Sequence, residues 1–382
     1  MIPAPVAFAA GVVIFAIVVW DAFEAIILPR RVTRRFRLTR VFFKFTWITW
    51  TLVTQLIPSR KRRETLLSFF GPLSLLLLVG VWAVGLVLAF GLMQYGAGSR
   101  LQIASGPPGF PMDVYLSGTT FFTLGLGDVL PQTSLARVLV VLEAGFGFGF
   151  LAAVIGYLPF IYGSFSKREV NISLLDARAG TPPTAAELLR RYAYPGGSEA
   201  LRQLFKDWEF WAAELMESHL SYPVLAFFRS QHDNQSWVAA LTAILDSCAL
   251  VKAGLEEACK RQAELTFAIA RHAAVDLSQI FKTVPQAVPH DRLPGEDLRR
   301  IRETLAQQGW QMREAAEMEE RLTELRKMYE PYLFSLAQYL RFTIPPWIPA
   351  AKGKDNWQTT AWGRSAGLTE KEAAAIGAED HF

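Results

Sequence analysis

Three runs in the first 163 residues are apolar for long enough to leave water: Val6 to Leu28, Thr65 to Gly96 and Leu135 to Tyr162. About 20 apolar residues in a helix cross the roughly 30 Å of bilayer hydrocarbon. In that solvent the backbone must satisfy its own donors and acceptors, which restricts the runs to helices. Only Asp21 and Glu24, near its end, interrupt the first run. Between the second and third lies Met112 to Pro131, too short to cross as a helix. After Lys167 the chain is laced with charge and reads as a water-soluble part.

Basic clusters at Arg30 to Arg40, Arg60 to Arg63 and Lys167-Arg168 flank the apolar runs, as positive charge does on the cytoplasmic side. Thr65 to Gly96 then runs outward, Leu135 to Tyr162 returns inward, and Met1 lies outside. The N-terminus lacks the basic region of a cleavable signal peptide. Val41 to Ile57 sits between two cytoplasmic clusters and cannot span without reversing one. It reads as an interfacial helix with Lys44, Trp47 and Trp50 at the headgroups, or as a packed or re-entrant linker. The net charge of +4 is too small and too scattered for a nucleic-acid footprint. No segment repeats arginine at every third position inside an apolar run, so intrinsic voltage gating is not expected.

The soluble part reads as all-helical. Pro182-Pro183 precede Thr184-Ala185-Ala186-Glu187, which has the form of a capping box. Pro195-Gly196-Gly197 breaks the chain before Ser198, a candidate cap. Asn234 or Ser236 opens a periodic segment to about Phe281. Gly295 to about Tyr329 is charged and helical, with Glu317 and Arg321, and Glu324 and Lys327, at pairing distance. Glu330-Pro331 marks a kink, and the tail from Ile344 reads as extended or mobile. Cys248 and Cys259 fall on one predicted helix about 16 Å apart, too far for a bridge within the chain. They read as free thiols of a reducing compartment, or else as a redox switch between subunits.

The stretch that carries function runs from Asp113 to Asp128. Asp113 to Phe122 can form a short helix with a carboxylate at its N-terminus. Thr123-Leu124-Gly125-Leu126-Gly127-Asp128 comes at once after it. Glycines at alternate positions permit backbone angles closed to other residues, so the strand can turn its carbonyls to one side. Unpaired carbonyls at membrane depth are tolerated where they line a watery path. Rings of such oxygens replace an ion's hydration shell, the device used by potassium channels.

From Thr65 to Tyr162 the chain resembles the potassium channel pore family, whose filter pattern is Thr-x-Gly-x-Gly-Asp. The resemblance implies a homotetramer, three identical subunits joining each chain around one pore. Potassium ions would be held by the Thr123 hydroxyl and the carbonyls of Thr123, Leu124, Gly125 and Leu126, with Gly127 between them and Asp128, which caps the outer side. Pro131 and Arg137 also match. Leu126 stands where the family most often has Tyr or Phe, and Tyr115 and Leu116 replace its frequent tryptophans, so the aromatic bracing is reduced. A weakly selective monovalent cation channel is therefore the alternative. A membrane-anchored sensor or a metalloenzyme is more remote.

On the third span, Gly147 falls where the family carries a hinge glycine, with Gly145 and Gly149 beside it; close helix packing is the other use of such glycines. Pro159 adds a kink. Glu143 is an ionisable residue within a span, a functional candidate by default. It reads as a filter support reaching Thr119 or Thr120, as a cavity residue, or as a helix-packing residue.

The resemblance stops near Lys167. Neither a dinucleotide-binding turn nor a cyclic-nucleotide barrel is visible in the soluble part. Glu217, His219, His232 and Asp233 are candidate metal ligands for ion gating; the alternative is the seam of a helical bundle. Leu305, Trp310, Met318 and Leu325 are the apolar residues with which charged helices would pair between subunits. The expected fold is an all-α membrane protein, a potassium-channel-like tetrameric pore domain plus a cytosolic helical bundle. Its divisions are an N-terminal span and interfacial helix (1–64), a pore domain (65–163), a regulatory domain (164–343) and a tail (344–382). It would be multi-pass in the cell's inner membrane, ligand-gated or constitutive, without an organic cofactor and not an enzyme.

Overall fold

The computed structural model describes residues 3–28, 37–104, 106–230, 235–255 and 259–349. The chain divides into two compact units, Met1–Gly163 and Ser164–Phe382.

In the first unit, α1 (Ala4–Ala22) ends in a π-helical turn, Phe23–Ile27. It lies antiparallel along α3 (Arg60–Gly96). Small residues set how closely they approach: a Cβ on Gly11 would stand 2.6 Å from the Ala89 carbonyl, and one on Gly96 would stand 2.4 Å from the Phe8 nitrogen. Without a hydrophobic drive between helices in lipid, such backbone proximity supplies the packing. Val18, Leu78, Trp82, Leu86 and Phe121 form the core beside this contact.

Asp21 and Glu24, the two charges in the first run, have structural partners. Asp21 is fully buried and accepts a hydrogen bond from Trp82 Nε1 at 3.0 Å. It also accepts from the Thr39 backbone nitrogen at 3.1 Å and from the Thr39 hydroxyl. Thr39 lies in the first turn of α2 (Leu38–Gln55), so a carboxylate of α1 caps α2. Glu24 accepts from Trp20 Nε1 at 2.7 Å and pairs with Arg37 at 3.3 Å. Most of the Arg30 to Arg40 cluster lies outside the described residues.

The exposed stripe of α2 is Val41, Phe45, Ile48, Leu52, Val53 and Leu56, whereas Trp47, Thr51 and Thr54 are buried. The hydroxyls of Thr51 and Thr54 bond back to their own helix at Ile48 and Thr51, which makes the inward face effectively apolar. Of the two tryptophans expected at the headgroups, Trp47 is buried against Phe70 and Trp50 donates to the Leu66 carbonyl at 3.0 Å. Both therefore pack on α3.

After α3 come β1 (Leu101–Ile103), α4 (Phe110–Phe121), β2 (Val129–Pro131) and α5 (Ser134–Ala179). The two strands pair antiparallel, with Leu101 opposite Pro131. They are a small departure from an all-α chain. α4 begins three residues before Asp113, because Gly109 and Pro111 open it. α5 runs on far past Tyr162, through Pro159 and beyond Arg168, and belongs to both units.

The second unit is helical: α6 (Ala185–Arg191), α7 (Gly197–Ser221), a 3-10 turn (Pro223–Phe227), α8 (Trp237–Gly254), α9 (Lys260–Phe281), α10 (Gly295–Gln307), α11 (Ala315–Lys327) and α12 (Glu330–Leu340). α8 is long and apolar enough to cross a membrane. All of it except Lys252 is instead buried among α6, α7, α9, α11 and α12. Asp246, on α8, meets Arg292 at 2.7 Å, and Arg292 meets Glu330 at 2.7 Å, a paired cluster that the Tyr329 hydroxyl completes.

Several local expectations change here. α6 starts after Thr184, but the Thr184 hydroxyl makes no cap bond and Glu187 turns to Arg190 and Arg191 instead. α7 starts at Gly197, behind the left-handed Gly196, rather than on a Ser198 cap. Ser236 does cap α8, accepting from Ala239. The segment from Ser236 to Phe281 is two helices, so Cys248 and Cys259 do not share one. Burial pushes the Cys259 thiol up to about 12, which leaves little thiolate to oxidise at neutral pH.

Gly295 to Tyr329 is also two helices, and the expected pairs form at 2.7 Å for Arg321 with Glu317 and 2.6 Å for Lys327 with Glu324. Leu305 and Met318 are buried within the unit, and Trp310 donates to the Leu189 carbonyl at 3.1 Å. Leu305 and Met318 thus serve this core, whereas Trp310 and Leu325 are half-buried. The segment from Ile344 is docked: the Pro345 carbonyl accepts from Arg292 at 2.8 Å and Trp347 is buried. Residues 350–382 lie outside the described residues.

Candidate functional site: the pore segment

α4 ends at Phe121, and the chain leaves it through a hydrogen-bonded turn. The Thr120 carbonyl accepts from Thr123 N at 3.0 Å; the Thr119 carbonyl accepts from Leu124 N at 2.8 Å and from Gly125 N at 3.4 Å. Thr119 and Thr120 thus hold the strand through their carbonyls. Thr123, Gly125 and Gly127 have φ of 57°, 57° and 75°, at every second position. Alternating hand is what a strand needs to aim successive carbonyls one way, and glycine provides it without a Cβ penalty. Residues 122 to 128 are all exposed in the isolated chain, Leu124 at 60% and Leu126 at 62%.

The outer end is held at Asp128. Its Oδ2 accepts from the Tyr115 hydroxyl at 2.7 Å. Its carbonyl accepts from Ala104 N at 2.9 Å. Just beyond, Arg137 Nε donates to the Pro131 carbonyl at 3.2 Å. Tyr115 therefore supplies bracing that the missing tryptophans led one not to expect. Asp113 sits in the first turn of α4 and is buried.

Glu143 is fully buried behind this segment. Its partner is Ser117, neither Thr119 nor Thr120, and Ser117 also lies 2.7 Å from the Val87 carbonyl. One contact thus ties α5, α4 and α3 together. Nothing in the sequence pointed to Ser117; it stands one turn before Phe121, on the face that α5 meets.

The glycines of α5 separate into two kinds. A Cβ on Gly147 would stand 2.2 Å from the Phe121 carbonyl, so this glycine is a close-packing point beneath α4. Gly145 and Gly149 have open space around them. Pro159 lies inside α5 without ending it.

Of the metal candidates, His219 and Glu217 are described, and they do not face one site. His219 is buried: its Nδ1 meets the Leu215 carbonyl at 2.8 Å and its Nε2 meets Arg168 Nη1 at 3.1 Å. Both ring nitrogens are taken, and Glu217 is exposed on another face of α7. His232 and Asp233 lie outside the described residues, and among the described residues no group of three possible ligands occurs. Burial and the Arg168 charge hold His219 well below the usual imidazole range. Arg168, one of the basic residues that flank the third apolar run, is buried and donates to the carbonyls of Leu225 at 2.9 Å and Phe228 at 2.7 Å.

Residues 75–159 match the family described as Ion channel. The match begins in α3, takes in the strands, α4 and the exposed segment, and ends in α5. A curated relative is the uncharacterized membrane protein YdjJ of Bacillus subtilis (strain 168), 26% identical over 203 residues, which are 50% of this chain and 56% of that one. The chain thus spans about half the length of the curated relative it matches. No solved structure matches it. Residues 75–159, two long membrane-type helices around a short helix and a segment of alternating positive φ, are thus similar to ion-channel pore domains of the potassium-channel-like, two-helix kind.

Proposed function

We propose that the protein is a homotetrameric, potassium-selective channel of the cell's inner membrane that conducts passively through a filter formed by Thr123 to Asp128. The observation that carries this reading is the alternation of positive φ at Thr123, Gly125 and Gly127, directly after the short helix α4. Four such strands around an axis would present rings of neutral oxygen, which suit a weakly hydrated monovalent cation. Potassium ions are the occupants, and the exposure of the whole strand in one chain leaves the other side of each ring to three identical chains. The first span has its N-terminus beside the C-terminal end of α3, which fits an outside N-terminus with the second unit in the cytoplasm. That unit regulates opening, since α5 runs unbroken into it.

The test is ion flux from purified protein in liposomes, with potassium and sodium gradients compared and Gly125→Asp as control. Potassium flux that far exceeds sodium flux and vanishes in the variant supports the proposal. Equal fluxes would favour a weakly selective cation channel, a reading to which the exposed Leu126 side chain lends weight. Flux that survives Gly125→Asp would remove the filter assignment.

A further inference from the structure

We infer that the loop between α3 and α4 is a clamp on the outer end of the filter, with Ala104 as its positioning residue. This rests on the pore reading above. The filter strand alternates in backbone hand and has flexible glycines at two of its positions, so its geometry must be imposed from outside. Its inner end is tied to the Thr119 and Thr120 carbonyls. Its outer end is tied by a different element. β1 pairs with β2, the three residues directly after Asp128, with Ile103 opposite Val129 and Gln102 opposite Leu130. The ladder continues one step at each end: Ala104 N donates to the Asp128 carbonyl at 2.9 Å, and Gln132 N donates to the Arg100 carbonyl at 2.9 Å. The Gln132 side chain closes on Gln102 Oε1 at 3.0 Å.

These bonds have two chemical consequences. The Asp128 carbonyl accepts from Ala104, which fixes the direction of the last carbonyl of the segment. The Asp128 side chain is held separately by Tyr115, so main chain and side chain are fixed from two different elements. A two-stranded ribbon is marginal by itself. It persists here because α3 and α4 anchor one strand and α5 the other, and Val129 is buried beneath it. Opening of the ribbon would release the last filter residue.

The measurement is the potassium to sodium permeability ratio and the decay of potassium current, recorded on the full chain in planar bilayers. Ala104→Pro removes the backbone donor to the Asp128 carbonyl and leaves the Tyr115 bond to its side chain in place, at a position whose preceding residue is already extended. It is expected to lower the ratio or speed the decay by about tenfold, the weight of one well-placed hydrogen bond, and raised external potassium should oppose the change. A second variant works on protein of one preparation. Ile103→Cys with Val129→Cys places two thiols opposite each other in the ladder, within disulfide range. Oxidation should slow the decay and reduction should reverse it. A conducting parent with an indifferent Ala104→Pro, and a cysteine pair whose current ignores its redox state, would overturn the clamp. A parent without potassium current would overturn the pore reading beneath it.

Discussion

At Gly147 a single hydrogen in place of a methyl group decides whether α5 can pass beneath α4. An added Cβ would meet the Phe121 carbonyl, a backbone atom that cannot rotate away, so Gly147→Ala must displace the end of the pore helix. The expected outcome is lost potassium flux and a lower melting temperature of the assembled protein, while Gly145→Ala, in open space, stays near the parent in both. Equal losses at the two positions would instead favour a hinge shared along the helix. Glu143 lies one turn before Gly147 on α5 and meets α4 one turn before Phe121. Glu143→Leu removes the tie from α5 to Ser117, which keeps only the Val87 carbonyl, at a cost of about 1 kcal/mol, and its potassium to sodium ratio should fall; Glu143→Gln keeps a group that can bond Ser117 and should retain most of it. A leucine variant with parental selectivity would remove Glu143 from filter support.

Among elements, two helices are held by residues that composition alone would place elsewhere. α2 starts on the Asp21 carboxylate, which also accepts a hydrogen bond from Trp82 Nε1. Asp21→Ala therefore uncaps one helix and orphans a buried indole, and should destabilise the first unit by about 2–3 kcal/mol, read as a fall in melting temperature in detergent. The far end of α5 is held by Arg168, which fills the carbonyls of Leu225 and Phe228 and leans on a neutral His219. Because His219 is held below the ordinary imidazole value of 6.5, the folded chain binds fewer protons than the unfolded chain below that pH. Stability is full above about 6.5 and falls as acid is added. The melting temperature should drop between pH 7.5 and 5.5 in the parent and drop less in His219→Gln; identical profiles would show that His219 contributes nothing to the pH dependence.

For the whole molecule, the proposed pore needs four copies of one strand. Chains of Gly125→Asp mixed with parental chains should then suppress current far more steeply than their share of the mixture, since one altered strand breaks every ring. Suppression in simple proportion to that share would mean that each chain conducts alone. Much of this organisation was legible in the sequence. The apolar runs located α1, α3 and the first part of α5, because span length and apolarity are local properties that hydrocarbon enforces. Gly125 and Gly127 announced the alternating backbone after α4, because glycine takes positive φ without a Cβ penalty; that the β-branched Thr123 shares it was not legible. The break between α8 and α9, the docking of Trp347 and the use of Leu305 and Met318 in a private core were not legible, since each depends on what the rest of the second unit presents to it.

By itself, then, the sequence determined which segments are long and apolar enough to span a membrane and where the glycine-alternating segment lies. Tertiary structure alone decided who holds them. Asp21 reaches Trp82 across 61 residues, Glu143 reaches Ser117 across 26, and Arg168 reaches Phe228 across 60. The ladder from Ala104 to Asp128 likewise joins two loops with no shared period. The three side-chain pairings are selected by burial, since a polar group loses free energy for every unmet hydrogen bond and so takes a partner from whichever element packs nearest.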